Sequence, residues 1–484
     1  MKALNELLQH YNVANVIGRT DIQIAGLTAD SRQVGSDWLF IAIKGTQTDG
    51  HEYITSAIKK GATAILCETI PSELDIDITY LQTPDAASAL GNLASAWYGN
   101  PSEALSLIGI TGTNGKTTTA TLLYRLFRNM GFGAGLISTV TYRVNDNEYP
   151  STHTTPDPMT LNKLLAEMVD AGCSYCFMEV SSHAIVQQRI AGLQFKGAAF
   201  TNITHDHLDY HGTFAEYLKA KKLFFDNLDK HAFALTNRDD RNGMVMLQNT
   251  KAAKHSYALH APADFSARIV ESHFQGMELV IDGHEMWSKF IGDFNAYNLL
   301  LVYSTAKLLG KESQTILQLL SEMSGVDGRF ESMHSTDGIT AIVDYAHTPD
   351  ALENVLNTIN EIRKGGEQLI TVVGAGGNRD KTKRPEMARI AVLNSDKIIL
   401  TSDNPRNEEP SDILSDMQQG IPTGNNDKVL VLVDRHEAIR TACFMARPGD
   451  IILVAGKGHE TYQEIKGVKS HFDDREELRK YLKA

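Results

Sequence analysis

An apolar run, Leu107-Ile108-Gly109-Ile110-Thr111, breaks into Gly112-Thr113-Asn114-Gly115-Lys116-Thr117-Thr118. A helical pattern of Ala120, Leu122, Leu123, Leu126 and Phe127 follows. Strand, glycine turn and helix in that order make a phosphate cradle. The glycines let backbone N–H groups turn toward an anion, and the helix N-terminus adds its positive dipole. Lys116 then reaches terminal phosphates and the Thr117 hydroxyl binds Mg²⁺. The spacing departs from the standard Walker pattern: Ile110 stands where the first glycine belongs, and Gly112 is the usable one. A plain glycine turn is the alternative, but Gly-Lys-Thr-Thr in this setting has few other uses.

Three further stretches carry residue types suited to phosphoryl chemistry. Tyr175-Cys176-Phe177-Met178 is an apolar strand whose far end carries Glu179, Ser181, Ser182 and His183. Ligands of open α/β sheets sit beyond the carboxyl ends of strands. Glu179 is therefore either a magnesium carboxylate or a buried structural acid. His205-Asp206-His207-Leu208-Asp209-Tyr210-His211 places three histidines and two aspartates in seven positions. That invites a metal, magnesium before zinc because no cysteine is near; a solvated loop is the other reading. On the next helix Phe214, Tyr217, Lys221, Phe224, Phe225 and Leu228 share one face. A lysine inside that stripe is costly unless paired, neutral or modified, or unless its stem snorkels.

The elements that must hold these residues follow from the rest of the chain. Its 484 residues suggest three domains. We place them at 1–88, 89–331 and 332–484. The expected fold is α/β throughout: a small α/β unit, a central parallel sheet with helices on both faces, and a Rossmann-like third unit. In the first unit Thr28–Arg32 and Gly45–His51 are polar loops flanking the strand Trp38–Ile43, which turn chemistry alone explains. In the third, strands run into Asp344-Tyr345-Ala346-His347, Gly374-Ala375-Gly376-Gly377-Asn378-Arg379, Asp403-Asn404-Pro405-Arg406 and Gly456-Lys457-Gly458-His459-Glu460. The second of these resembles a dinucleotide fingerprint, but Arg379 occupies the third glycine position, which rejects NAD. The basic run Arg379–Arg384 is an anion site or a solvated loop.

A formal net charge of −13 argues against nucleic-acid and anionic-membrane partners. Four cysteines make no disulfide framework, and Cys173-x-x-Cys176 reads as two packed thiols. The first residues lack a signal-peptide h-region, and no apolar run reaches the roughly 18 residues of a membrane span. A cytoplasmic location is expected.

Taken together, Gly112–Thr118, Met178–His183, Asp206–Gly212 and Asp344–His347 are similar to the motifs of the Mur ligase family, in order across all three units. Asp403–Arg406 resembles the version found in members that add meso-diaminopimelate, where lysine-adding relatives differ. The resemblance implies an ATP-dependent amide ligase acting on UDP-N-acetylmuramoyl-L-alanyl-D-glutamate through an acyl phosphate. It implies Lys116, Glu179, His207 and Lys221 as catalytic residues. Thr117 and Glu179 would hold one Mg²⁺, with His207 and Lys221, as its carbamate, on a second. Gly112 to Thr118, Asn295, Asn298, Arg329 and Asp344 would surround ATP. Ala29, Ser31, Thr46, Gln47 and Thr48 would meet the uridine nucleotide, and Thr154, Thr155, Ser181, Gln187 and Arg189 the muramoyl dipeptide. Arg379, Asp403, Asn404, Pro405, Arg406, Gly456 and Glu460 would form the diaminopimelate pocket. A monomer is expected. The rivals are a lysine-adding member, a folylpolyglutamate synthetase-like ligase, a nucleotide switch that only hydrolyses ATP, and a non-catalytic binding module.

Overall fold

Strands rich in Val, Ile, Leu and Ala, apolar on both faces, build three parallel-rich sheets in series. The computed structural model describes residues 1–45 and 48–482. The first sheet has the order Asn15–Ile17, Thr79–Gln82, Ala62–Cys67, Trp38–Ala42, Gly26–Thr28, and only its first strand is antiparallel to its neighbour. Leu39, Ile41 and Leu66 face one core; Phe40, Ile65 and Cys67 face the other. The helix Ala86–Trp97 packs Ala89, Leu90 and Leu93 into the first of these cores. The boundary expected at 88 therefore falls inside a helix that belongs to the first unit, because its apolar face covers that sheet.

The central sheet has eleven strands. Ser106–Thr111 lies in its middle, between Tyr175–Glu179 and Gly197–Phe200, and parallel to both. After the phosphate loop the chain moves to one side of that strand, then returns on the other. That is the switch point at which open α/β sheets form a ligand crevice. Ile108, Ile110 and Phe177 pack beneath the helices Lys116–Asn129 and Asp293–Leu308. Leu107, Met178 and Phe200 pack against Pro158–Asp170 and Phe214–Asp226. Both edges are antiparallel, formed by Thr141–Val144 and Asn147–Pro150 on one side and Gly276–Ile281 and His284–Ser288 on the other. A purely parallel reading omits these edges.

The third sheet has the order Glu331–His334, Thr340–Asp344, Ile451–Ala455, Leu369–Ala375, Lys397–Ser402, Val429–Val431. All pairs but the first are parallel. Asp344 is level with Ala455, Ala455 with Val373, and Ala375 with Ser402. That register brings the four loops singled out from the sequence to one edge. All four cysteines are free and buried, and burial pushes the Cys67 thiol up to about 11.

Candidate active site

The phosphate loop folds as its glycines dictate. Gly112 has φ 151°, and a Cβ there would lie 1.8 Å from Thr201 Oγ1. No side chain fits, so the loop can lie flat on the neighbouring strand end. Asn202 Oδ1 accepts the Asn114 N–H at 2.9 Å, and Thr113 N–H donates to Asn202 O. Thr113 Oγ1 lies 3.1 Å from Tyr217 Oη, and Thr118 is buried behind the loop. Gly115 leads into the helix at φ 83°. Lys116 folds back over the loop and donates to the Gly112 and Thr113 carbonyls at 2.9 and 2.8 Å. Burial lowers its pKa, with Glu179 and Asp206 opposing. The Asn298 carboxamide reaches Thr119 Oγ1 at 3.5 Å and is held by Asn295 at 3.2 Å, both on the helix Asp293–Leu308.

Glu179 ends its strand fully buried. One carboxylate oxygen accepts the Thr139 N–H at 2.7 Å; the other has no partner. A buried orphan oxygen costs about 1–3 kcal/mol or more, so the donor set here asks for a cation. Among the described residues no three His, Cys, Asp or Glu side chains could hold a metal together. A zinc site built from protein side chains needs three or four of them; a lone orphan carboxylate oxygen is a different donor set. It fits Mg²⁺, held by one carboxylate, a hydroxyl, phosphate oxygens and water.

The loop's other groups are committed elsewhere. Asp206 is ion-paired to Lys383, His211 Nε2 lies 2.9 Å from Ser182 Oγ, and His205 faces Asp380 at 3.9 Å. Burial would raise the Asp206 carboxyl, yet His207, Lys383 and His347 around it hold it well below the usual range. His207 has a left-handed backbone, φ 54°. Burial, with His183, Lys116 and Lys221 nearby, pushes its imidazole down to about 3 against the pull of Asp206. It is thus the neutral ring that a metal requires.

Lys221 is 1% exposed. Its Nζ donates to Gly112 O at 2.7 Å and sits 4.6 Å from the centre of the Tyr217 ring. Burial, then the Lys116 charge, drives its pKa well below that of a free lysine. The snorkelling alternative therefore fails: the amine is inside, beneath the phosphate loop.

A second cluster surrounds Glu179. Thr155 Oγ1 donates to Glu179 O at 2.8 Å and accepts the Ser181 N–H at 3.1 Å. Arg189 donates to Thr155 O at 2.8 Å and to Gln187 Oε1 at 2.7 Å. Thr154 Oγ1 lies 2.9 Å from Thr139 Oγ1. These five residues are brought together. Ala29 and Ser31 follow Gly26–Thr28, and Thr48 follows the adjacent parallel strand Trp38–Ala42, so they share one sheet edge. Thr46 and Gln47 lie outside the described residues.

Residues at the end of the second unit and the start of the third close over the loop. Arg329 Nη2 donates to Thr117 Oγ1 at 3.2 Å, and its guanidinium stacks 4.5 Å over Tyr345. Asp344 accepts the Phe330 N–H at 2.6 Å, and burial pushes its carboxyl up to about 6. Asn114 and Thr204 both donate to Asp350, at 2.8 and 3.2 Å.

At the third sheet's edge Arg406, with φ 52°, donates to Gly377 O at 2.8 Å. Pro405 O would lie 1.9 Å from a Cβ at Gly377, and Asp403 Oδ2 2.5 Å from one at Gly456, which has φ 118°. Asn404 Nδ2 donates to Glu460 at 2.7 Å. The basic run divides. Arg384 is buried on Glu408 and Asp416, Lys381 pairs with Glu408 and Lys383 with Asp206, while Arg379 stays exposed beside Gly376. Neither sequence reading, anion site or solvated loop, covers all of it. Sequence reasoning missed Asp350, and it noted Lys383 and Lys457 only as parts of the basic run and the Gly456–Glu460 loop, without a role. Asp350 and Lys383 have partners 236 and 177 positions away, and Lys457 meets Asn404 from 53 positions away as well as the nearby Glu460.

Comparison with known proteins agrees with this geometry. The Mur ligase family, catalytic domain, matches residues 23–98; the Mur ligase middle domain matches 110–306; and the Mur ligase, glutamate ligase domain, matches 328–458. A UDP-N-acetylmuramoyl-L-alanyl-D-glutamate–2,6-diaminopimelate ligase of Bacteroides fragilis is 57% identical, covering 98% of each chain. One of Cytophaga hutchinsonii is 57% identical over 98% of this chain and 97% of its own. A solved structure of a ligase of the same description superposes with a TM-score of 0.69 and 31% identity, over 100% of this chain and 99% of that one.

Proposed function

Since the chain belongs to the Mur ligase family and is an ATP-dependent ligase of peptidoglycan precursor synthesis, we propose that the two strand-end clusters are the two halves of its active site. The enzyme joins diaminopimelate to UDP-N-acetylmuramoyl-L-alanyl-D-glutamate. The observation that supports the two-halves reading is the pair of ties between them: Lys383 to Asp206, and Asn114 to Asp350. A triphosphate cradle and a pocket of opposed charges face each other across those contacts.

The chemistry assigns work to each group. The substrate's free carboxylate takes the γ-phosphoryl group, and ADP leaves. The acceptor amine then attacks the acyl carbon; the N–C bond forms, a proton and phosphate depart, and an amide remains. Two anions must meet in the first step, so Lys116 neutralises phosphate charge while the loop N–H groups orient it. Thr117 and Glu179 would hold one Mg²⁺, and His207 with Lys221 a second. The ion supplies charge neutralisation and alignment of the phosphates when bound. Burial lowers the Lys221 pKa and so favours the neutral amine, which can add CO₂ with loss of a proton. The resulting carbamate gives an anionic oxygen where an ammonium would repel a cation.

Ser181, Thr154, Thr155, Gln187 and Arg189 would receive the muramoyl dipeptide. Ala29, Ser31 and Thr48 would receive the nucleotide, and Asn295, Asn298, Arg329 and Asp344 the adenosine and phosphates. Arg379 and Arg406 donate to the acceptor's carboxylates, while Asp403 and Glu460 accept from its amines. Lysine lacks the distal carboxylate, so the arginines would have no partner for it in that complex, and a site built to pair a group disfavours the analogue that lacks it.

Among the described residues no helix is long and apolar enough to cross a membrane. We place the reaction in the cytoplasm, which keeps the four thiols reduced.

The test is the dependence of ATP turnover on its partners. Steady ADP production should require the UDP-linked dipeptide and the amino acid together. Steady turnover with ATP alone would support a nucleotide switch and contradict the ligase.

A further inference from the structure

Lys457 sits between two glycines in Gly-Lys-Gly-His-Glu, a setting that reads as an exposed loop. It is instead fully buried. Its Nζ lies 3.2 Å from Glu460 Oε2, 3.1 Å from Asn404 Oδ1 and 4.0 Å from Asp403 Oδ1. The Asn404 amide donates to that same Glu460 oxygen at 2.7 Å. One ammonium and one amide thus fix Glu460, and the ammonium reaches toward the second carboxylate. Burying an ammonium is expensive unless its partners are paired with it. A methionine would fill the space without that cost, so the charge itself has a use.

We propose that Lys457 is a positioning residue for the amino-acid acceptor, holding Glu460 and Asp403 as an ionised, aimed pair that receives the acceptor's ammonium group. This rests on the assignment of that cluster to diaminopimelate. Two carboxylates in one buried site cannot both stay charged unaided; one takes a proton. Burial, then Asp403, raises the Glu460 carboxyl, and Lys457 opposes them. A protonated Glu460 could not balance an incoming cation.

The other groups facing Glu460 do not take over this role. Arg435, on the helix Arg435–Met445, is committed to Asp474 by two bonds of 2.7 Å and to Ala455 O at 3.1 Å. Arg406 is turned to Gly377 O. Tyr345 and Tyr462 have their hydroxyl pKa values raised by burial and stay neutral. The contact of Lys457 with Glu460 is direct, and its i,i+3 spacing in the loop keeps it short.

The experiment compares Lys457→Met and Lys457→Gln in the full-length enzyme, with ATP and the UDP-linked dipeptide saturating. The KM for meso-diaminopimelate should rise tenfold or more, while the KM values for the other two substrates stay within twofold. The pH below which the diaminopimelate KM climbs should move up by about one unit. Adding Lys457→Met to Glu460→Gln should cost little beyond Glu460→Gln alone, because the lysine acts through that carboxylate. Equal rises in all three KM values with an unshifted pH profile, or fully additive variants, would overturn the proposal. Failure of the pocket assignment reads differently: Glu460→Gln alone would then leave the diaminopimelate KM unchanged. If neither lysine variant folds, the wild-type profile decides. A KM flat from about pH 8 to about pH 6.5 supports a held carboxylate, and one already climbing there contradicts it.

Discussion

Lys116→Ala is expected to lose about 10³-fold in kcat, with helix content and the muramoyl-dipeptide KM unchanged. The lysine is the one cation built into the phosphate loop itself, folded over Gly112 and Thr113. Its two bonds there go to backbone carbonyls, so its removal leaves no buried charge unpaired. The loss falls on the transfer step, where charge spreads over the moving phosphoryl group and must be met by fixed positive groups. Stopped-flow or quenched measurement of ADP formation reads it directly. A loss below tenfold would mean that Arg329, which already bonds Thr117, supplies the neutralisation instead.

Lys221→Ala is expected to lose about 10²- to 10³-fold in activity and to recover part of it when short carboxylic acids are added. The argument is electrostatic. An ammonium at this depth, close to Lys116, opposes both a metal and the phosphates, and burial and the Lys116 charge lower its pKa, which favours the neutral amine. Carbamylation converts it to an anion, and a small carboxylate diffusing into the vacated space mimics that oxygen pair. Rescue separates this role from simple packing, because an acid cannot restore a lost apolar contact. Full activity in the untreated variant would remove the carbamate from the account, and loss without rescue would reduce Lys221 to a structural prop.

The phosphate loop was legible because its meaning is local. Glycines, a lysine and a threonine in sequence determine the turn, and the turn determines the ligand. Glu179 and Lys221 were legible for a related reason: each breaks an apolar pattern at a place where burial makes the exception costly. The histidine-rich loop shows the limit. Residue types at 205–211 suggest a metal cage, but the side chains point to different partners, and Asp206 goes to Lys383 in another domain. The first domain boundary was misplaced because polar turn residues before Ala86 look like a linker, while the following helix packs backward onto the first sheet. The role of Lys457 was hidden because Asn404 and Asp403 meet it only after the parallel register sets Ala455, Ala375 and Ser402 at one edge.

Acceptor choice tests the account most directly, because it depends on residues of the third domain acting on chemistry built in the second. Phosphate release from ATP should be followed with the UDP-linked dipeptide, offering meso-diaminopimelate and L-lysine separately. The account predicts release with diaminopimelate and little with lysine, and loss of that preference in Arg406→Ala. Comparable release with both amino acids in the wild type would contradict the assignment of Arg379 and Arg406 to the distal carboxylate.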